Sequence, residues 1–570
     1  MDPPSEPITR RGSTELEPSE IGGQYVEQTS GLAFLHRAHM RLSSQSWRPN
    51  TGLAAEGPTS SQSLMTAGDK PILDSQPDGL PLRAASLMAF YFDTCVVTYR
   101  VLHRQTTEGW LRAMEQAESV AQPGSSAQIG GAKAAVVLTV LAISIQKRAR
   151  MSMHSTPGRE GCDEDEVLRE CDPYFSLAAG LIRVETGLPK LESAQARLLQ
   201  VLYLLQTSRV NQAWYLLGTV SQIVSALGLH RKPSRRAAAP PRDYIRQQCG
   251  RRTVWVLYTI DVHLSVVLGR PRYLHDDDID REYPDSIADE EMTPEATVAA
   301  MGEGEDSPME AVVQHAKLGR ITAATCRDVC AIGPTPSRRD PLRLAAGFDE
   351  KLHEWRAALP PLLGAVRPSS LVPSFRRQAV ALRLAHAHAI MHATRPFLLL
   401  SRSRPREGEG EPRAMVVECL KAARTALELV GSIAGDESLF HAFWWSHYVT
   451  FCAIAVIFVW EIQQSGGSDG QEQAPELFAL AERCHAHLAR VLFADAPGRR
   501  YTVILEELRL EARHQSAKNT PTAPVDGLLH VPVETAMSDL QFPADFYDWT
   551  PTDWLELDAS AFPQLDELGF

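Results

Sequence analysis

The sequence lacks the glycine-rich loops that hold phosphate groups in many enzymes. Neither the P-loop pattern G-x-x-x-x-G-K-[ST] nor the dinucleotide-binding pattern G-x-G-x-x-G occurs among its 570 residues. The stretch QIGGAKAAVV (128–137) places glycines before a predicted helix, but it has no lysine and hydroxyl pair in the required positions. Nucleotide-dependent chemistry of these two classes is therefore not indicated.

Cysteine is scarce and irregularly spaced. Among the nine cysteines the closest pair is Cys326 and Cys330, and its C-x-x-x-C spacing fits neither a zinc knuckle nor a redox dithiol. Cysteines inside apolar runs such as FCAIAV are typical of buried small hydrophobic residues. The chain opens without an apolar core, so we expect no secretory signal and a reducing intracellular compartment.

Positive charge is in short supply. The formal charge is −13, and residues 531–570 hold nine of the acids with no Lys, Arg or His. Those nine acids leave only −4 on the preceding 530 residues. We therefore predict that the body offers no broad basic face to a nucleic-acid backbone.

Long uncharged stretches are rare, and the longest is AFWWSHYVTFCAIAVIFVW (442–460). Its length just suffices for a membrane span, but Ser446, His447 and Thr450 interrupt it and Glu461 follows directly. We predict a buried helix of a large α-helical body, and no membrane contact.

Helical periodicity is what the sequence does contain, and it predicts an all-α fold. From Ala213, apolar residues recur at i, i+4, i+7, i+11 and i+14, and Gly228 is a predicted helix stop. Strand-type alternation is scarce. The predicted organisation comprises a flexible segment over 1–80 with a short helix near 31–42, a multi-helix regulatory body over 82–515, a linker over 516–530, and a disordered acidic tail over 531–570.

Four aspartates within five residues raise the question of a metal or catalytic site in LGRPRYLHDDDIDREYP (268–284). The stretch lacks the D-x-D-x-D-G run and the closing glutamate of a calcium-binding loop. We interpret it as a solvated turn in which one aspartate caps a short helix or binds Arg270 or Arg272.

Histidines are grouped in LAHAHAIMHATRP (384–396), where His388 and His392 share one helical face and His386 lies nearby. The glutamate of an H-E-x-x-H zinc site is absent, and no third ligand is evident. We interpret these histidines as structural. The alternative is a helical metal-dependent enzyme, in which they meet the aspartates of 276–280 at one site.

The acidic tail interleaves its charges with large apolar side chains. Charges of one sign keep such side chains hydrated and available to a partner. We predict that the segment folds on contact with coactivator or mediator-type proteins, through short amphipathic turns. The predicted anchors of this activation segment are Phe542, Phe546, Tyr547, Trp549, Trp554, Leu555 and Phe562.

Four stretches give the body a family resemblance. The most specific is RRTVWVLYTIDVHLSVVLGRPRYLHDDDIDREYP (251–284), supported by the stretches 24–42, 86–111 and 213–231. Together they resemble the middle homology region of fungal zinc-cluster transcription factors, also called the fungal-specific transcription factor domain. The similarity covers roughly 24–290 and continues more loosely to about 515. The motif residues in this sequence are Arg251, Arg252, Trp255, Tyr258, Asp261, Gly269, Arg270, Pro271, Asp278 and Asp280.

This resemblance implies a regulator of transcription that acts in the nucleus, with a helical body that senses a ligand or dimerises. The zinc cluster of the family needs six cysteines near the N-terminus, but this sequence has none before Cys95. We therefore expect no cofactor in this chain, and indirect DNA contact through a homo- or heterodimer with a DNA-binding relative. A truncated gene model with the cluster upstream, and an inhibitor that competes for dimerisation, remain alternatives.

Asp261 is predicted to be buried, because it shares an apolar helical stripe with three leucines. A buried carboxylate needs a partner, and we expect Arg251, Arg252 or Arg270 to supply it. Replacing Asp261 by alanine is then expected to leave an arginine unpaired and to destabilise the body by several kcal/mol.

Overall fold

The computed structural model shows an all-α body, as predicted, with fifteen α-helices among the residues that it describes. Those residues are 19–21, 24–26, 30, 31, 34, 35, 38, 69–77, 79–119, 129–154, 164–232, 243–295, 307–329, 341–399, 410–433, 444–464, 474–491 and 499–519. The helices are α1 (Ala84–Phe90), α2 (Arg104–Ser119), α3 (Gly131–His154), α4 (Glu164–Arg183), α5 (Leu191–Gln206), α6 (Val210–Ala226), α7 (Tyr244–Leu268), α8 (Glu310–Val329), α9 (Pro341–Ala357), α10 (Pro361–Gly364), α11 (Pro373–Leu398), α12 (Gly410–Ile433), α13 (Trp445–Gln464), α14 (Ala474–Val491) and α15 (Arg499–Asn519).

Helix α7 runs through the core and is buried on all sides over most of its length. Its N-terminus is capped by Asp243, whose side chain accepts a hydrogen bond from the Arg246 amide. Its C-terminus is Gly269, in the left-handed conformation with φ 61°, which glycine adopts without the steric cost that a Cβ imposes. The helix packs against α5, α6 and α8, so its central part is enclosed by other helices.

Helix α13 is the apolar core helix of the C-terminal half. It packs against α11, α12, α14 and α15. Its window Trp445–Gln463 is long and apolar enough to cross a membrane, but 83% of that window is buried inside the body. The prediction of a buried helix here is confirmed.

Part of the N-terminal region, which the sequence predicts to be a flexible segment, is described in the structure. Strands β1 (Ser19–Ile21) and β2 (Gln24–Val26) form an antiparallel hairpin, with Ser19 opposite Val26 and Ile21 opposite Gln24. Gly31, which lies at the start of the predicted short helix, is helical and buried. The Gly31 amide donates to the Tyr448 hydroxyl of α13 at 3.2 Å, so this residue is attached to the core.

Residues 69–77 also contact the body, although the sequence predicts a flexible segment there. The Asp69 carboxylate accepts from the backbone amide of Gln212 at 2.6 Å, in the first turn of α6. The buried Arg209 guanidinium donates to the backbone carbonyls of Lys70 and Pro71, both at 3.0 Å. These contacts cannot be predicted from the sequence of 69–77. They are made largely by backbone carbonyls, which every residue has, and the segment shows no apolar pattern that would indicate burial.

The described cysteines carry free thiols, and six of the seven are buried. They do not converge on one place. The buried ones are Cys95, Cys171, Cys249, Cys419, Cys452 and Cys484, and Cys326 is partly exposed.

Candidate functional site

The two arginines that open the motif lie on α7 and form ion pairs with the segment that follows the aspartate turn. Arg251 Nη1 lies 2.7 Å from Asp285 Oδ1, and Arg252 Nη1 lies 2.7 Å from Asp289 Oδ1. Arg252 also donates to the carbonyl of Leu102 at 3.0 Å. Its side chain is 1% exposed, so this ion pair is held in the interior.

The aromatic residues of the motif fasten the same segment further along. The Trp255 indole donates to the Glu282 carbonyl at 2.9 Å, and its ring stacks on Tyr283 with centroids 4.3 Å apart. The Tyr258 hydroxyl donates to Asp276 Oδ1 at 2.9 Å. Both side chains therefore hold the segment 276–283, which follows α7, against this helix.

Asp261 is buried, as predicted, but its expected arginine partner is wrong. Its carboxylate accepts from the backbone amides of Tyr273 at 3.0 Å and Leu274 at 2.9 Å. Burial raises the pKa of Asp261 to about 6, although those two amides and the charge of Arg272 act against the rise. Two N–H groups satisfy the carboxylate here, which is why no guanidinium is required.

Arg270, the first residue after Gly269, contacts groups other than Asp261. The Arg270 guanidinium lies over the Trp214 ring, 4.6 Å from the centroid, and donates to the Asn211 side chain at 2.9 Å. Pro271 is exposed. Arg270 thus ties α7 to α6 rather than neutralising the buried carboxylate.

The aspartate cluster forms a short 3₁₀ turn, Asp276–Asp278. Asp276 is partly buried and contacts Arg320 of α8 at 3.0 Å and Arg272 at 3.8 Å, so the predicted contact with Arg272 is present. Asp278 and Asp280 are exposed, and Asp280 accepts from the Lys232 backbone amide at 2.7 Å. These contacts describe a turn attached to its neighbours.

The histidines of α11 lie in the core beside aromatic rings. His386 Nε2 contacts the Leu352 carbonyl at 3.0 Å. His388 and His392 belong to a cluster with His263 and His315, which we call the histidine core, and His263 stacks on Trp445 of α13 at 4.2 Å. Burial lowers the pKa of each of the four, that of His315 to about 3. They are therefore neutral at physiological pH.

The alternative hypothesis is a metal site that joins the aspartate turn to these histidines. Among the described residues, no group of potential metal ligands combines the two. The one group of three potential metal ligands within 4.8 Å of one another, among those residues, consists of Asp349, His353 and Glu418. Asp349 and His353 lie on α9 and Glu418 lies on α12, where its carboxylate pairs with Lys421 at 2.7 Å. None of the three belongs to the predicted sets.

A cleft lies beside α2, against the segment that Arg252 holds. Its volume is about 500 Å³, within the range typical of small-molecule pockets. The wall 287–290 is fixed from both sides, because Asp289 pairs with Arg252 and also accepts from the Arg104 backbone amide at 2.9 Å. We call this the arginine cleft, and its lining residues are Phe92, Asp93, Thr94, Arg100, Arg104, Ile287, Ala288, Asp289, Glu290, Pro308, Met309, Pro373, Ser374 and Arg377.

Sequence reasoning missed the arginine cleft. Its lining residues come from four separate segments, and no single stretch carries a recognisable pattern. The available signal was the Tyr99–Arg100 pair inside the stretch 86–111, an arginine in otherwise apolar text. Reading that arginine as buried would have directed attention to its surroundings.

The predicted activation segment, including its anchors Phe542, Phe546, Tyr547, Trp549, Trp554, Leu555 and Phe562, lies outside the described residues. Its assignment stays a prediction from composition.

Part of the chain matches a known domain family. Residues 88–357 match the fungal specific transcription factor domain. The chain is 25% identical over 362 residues to Activator of stress genes 1 of Saccharomyces cerevisiae, a match that covers 61% of this chain and 36% of that protein. Activator of stress genes protein 1 of Candida albicans is 24% identical over 306 residues, covering 50% of this chain and 31% of that protein. The matches thus span about a third of the length of these relatives.

A solved structure is similar in fold. It is described as the structure of the K. lactis CBF3 core, and it aligns with a TM-score of 0.52 over 85% of this chain and 93% of that one. The sequence identity is 12%, so the likeness concerns the fold alone.

Proposed function

Because residues 88–357 form a fungal specific transcription factor domain, we propose that this chain regulates transcription in the nucleus by recruiting coactivator or mediator-type proteins through residues 531–570. The curated relatives include transcriptional regulators from several fungi. That family-level statement supports a regulatory role and gives no support to an enzymatic one. The recruitment step is our inference from the tail.

The observation that carries the proposal is the composition of the tail. Nine acids alternate with aromatic and aliphatic residues, and no Lys, Arg or His occurs between 531 and 570. Repulsion among like charges opposes collapse of the apolar side chains, which stay accessible until an apolar groove of a partner covers them. The anchors Trp549 and Trp554 provide the largest area for such a contact.

DNA contact is proposed to be indirect. The 530 residues before the tail carry a net charge of only −4, so the body has no charge excess that would hold a phosphate backbone. A homo- or heterodimer with a DNA-binding relative would place the tail at a promoter.

A reporter assay tests the tail directly. Residues 520–570 are fused to a heterologous DNA-binding domain, beside the same fusion with Phe546, Trp549, Trp554 and Leu555 changed to alanine. We expect strong activation by the first fusion and loss of most of it in the second, because the apolar anchors are removed while every acid is kept.

A matched control carries four alanines at Pro551, Thr552, Ser560 and Pro563, which removes no acid and no anchor. It should activate like the parent fusion. If the parent fusion is silent, the tail has no activating role, and the body remains as a competitor for dimerisation or as a sensor. Deleting 531–570 from the full chain separates the same two cases, because only an activator loses its function.

A further inference from the structure

The arginine cleft has walls of mixed character that suit an amphipathic small molecule. Apolar surface comes from Phe92, Ile287 and Met309, and guanidinium groups come from Arg100 and Arg377. Pockets of this size usually bind through apolar walls and a few polar groups that fix orientation. The charges that face the cleft therefore decide which class of ligand it accepts.

The acids of the cleft are already paired with arginines, with one exception. Asp93 forms an ion pair with Arg104 at 2.7 Å, and Asp289 forms one with Arg252 at 2.7 Å. Glu290 lies exposed at the rim. The positive charge of Arg104 is further matched by Glu108 at 2.9 Å, so these groups leave no unbalanced cation of their own.

Arg100 is different, because no carboxylate lies within ion-pair distance of its guanidinium among the described residues. Its one hydrogen bond within that part of the chain runs from Nη2 to the Phe92 carbonyl at 3.4 Å, and its Nε is buried without a partner. Burial lowers the pKa of Arg100, and the neighbouring charges of Arg252 and Arg377 act in the same direction against the attraction of Asp289. A partly buried cation in this situation is costly unless an anion accompanies it.

Arg377 reaches the same cleft from α11. Its guanidinium donates to the Asp93 carbonyl at 2.5 Å, a contact that fixes the position of this group in the cleft wall. Two cationic groups, one from the turn before α2 and one from α11, thus converge on one cleft with apolar walls. Guanidinium groups pair with carboxylates and phosphates in bidentate geometry.

We propose that the arginine cleft binds a small organic anion, whose carboxylate or phosphate pairs with Arg100 and Arg377 and whose apolar part packs against Phe92, Ile287 and Met309. This deepens the proposed function, because it gives the regulatory body a ligand class and a place for it. The binding step rests on the cleft alone and can be measured without any transcriptional readout.

The ligand class is tested on the purified full chain with three compounds of the same ring system. Isothermal titration calorimetry and thermal unfolding compare 2-naphthoate, 2-naphthyl phosphate and the neutral 2-naphthamide. We expect at least one of the two anions to bind and to raise the unfolding temperature, with the amide weaker by at least about tenfold. Preference for the carboxylate would indicate an organic acid, and preference for the phosphate a phosphorylated ligand.

The site is tested with Arg100→Met and Arg377→Met, beside the control Arg513→Met, whose arginine is 52% exposed on α15 and pairs with Glu482. Each cleft variant should weaken anion binding by at least about tenfold, whereas the control should bind like the parent. Arg100→Met should also unfold at the same temperature as the ligand-free parent or higher, because it removes a charge that has no carboxylate beside it.

Three results would overturn the proposal. They are equal affinity for the amide and the anions, no binding of either anion up to its solubility limit, and unchanged anion affinity in both cleft variants. Marked destabilisation of ligand-free Arg100→Met would assign this arginine a structural role instead. An inactive tail in the reporter assay would leave the binding results unaffected, so the two proposals fail independently.

Discussion

Helix α7 buries ionisable groups at both ends, but the two ends handle charge differently. Near its start, Arg251 and Arg252 keep their charges and pair with Asp285 and Asp289. Near its end, His263 stacks on an indole and burial lowers its pKa. The arginines near the start are stabilised by ion pairs, whereas the histidine near the end is buried in its neutral form.

This difference determines which part of the body loses stability when the pH changes. An arginine remains protonated over the accessible pH range, so its ion pair changes only when the carboxylate titrates. Burial by itself raises the pKa of Asp289, but Arg252 and the amide of Arg104 outweigh it and hold the pKa below its ordinary value. The histidines of the histidine core, by contrast, bind a proton more readily in the unfolded chain than in the folded body.

The largest expected effect is acid destabilisation through the histidine core. The folded pKa values of its four histidines lie below the unfolded value of about 6.5. Their contribution is therefore present above that value and is lost as pH falls. Between pH 7 and 5.5 each histidine should lower the unfolding free energy by a little over about 1 kcal/mol, which amounts to about 5 kcal/mol for the four. Urea unfolding at both pH values measures this loss.

Two single variants assign the loss to its source. His315→Gln should reduce the pH-dependent drop by about 1 kcal/mol, since one titrating group is gone. His514→Gln, at a side chain that is 59% exposed, should leave the drop nearly unchanged. An equal drop in the parent and in His315→Gln would contradict the neutral histidine core.

The next effect concerns the paired end of α7. Arg252→Met leaves Asp289 partly buried beside an apolar side chain, and should lower the unfolding free energy by about 3–5 kcal/mol. The matched control is Arg246→Met, where the arginine is 51% exposed and pairs with Glu192, and it should cost less than about 1 kcal/mol. Denaturant unfolding at pH 7 provides both values.

Combining Arg252→Met with Asp289→Asn sharpens the test. The asparagine can still accept from the Arg104 amide, and no charge is left without a partner. The double variant should recover most of the lost stability. If the losses of unfolding free energy in the two single variants simply add up in the double variant, the arginine acts through packing rather than through its charge.

The smallest effect separates Asp261 from both ends of the helix. Its folded pKa of about 6 lies above the model-peptide value of 3.8, so its contribution is present below about pH 4 and is lost as pH rises through 6. A shift of about two units corresponds to about 3 kcal/mol. The stability of the parent relative to Asp261→Asn should therefore fall by about that amount between pH 4 and 7. The direction is opposite to that of the histidine core.

Asp278→Asn serves as the control, because that carboxylate is exposed in the same turn region. Its stability difference from the parent should not change over this pH range. A flat difference for Asp261→Asn would mean that the amides of Tyr273 and Leu274 fully compensate the burial of the carboxylate.

Local periodicity accounts for the part of the fold that was predictable from the sequence. It places Gly228 just beyond the end of α6, where the backbone has φ 63°, and it identifies α13 as an apolar core helix. The same periodicity predicts the burial of Asp261. It could not name the partner, because backbone amides leave no signature in a sequence and every nearby arginine is an equally plausible candidate.

Long-range convergence accounts for most of what was missed. The arginine cleft combines residues around 92–104, 287–290, 308–309 and 373–377, and their proximity depends on how the helices pack. The ion pairs of Arg251 and Arg252 span 34 and 37 residues, beyond the reach of helical spacing rules. For the motif residues, the sequence resemblance identified α7. Their individual contacts, with neighbouring segments or with the cleft, are evident only from the three-dimensional structure.

The buried thiols lie in different parts of the body, so their reactivity can report where the structure opens locally. Cys95 directly follows Thr94 of the arginine cleft, Cys171 precedes Asp172 of the buried Arg209–Asp172 pair, and Cys452 lies in α13. Burial raises their pKa values to about 12, 12 and 11, so each thiol reacts with an alkylating reagent only after its surroundings open. Alkylation followed by peptide mass spectrometry would therefore time the opening of three regions in one experiment, without an added label.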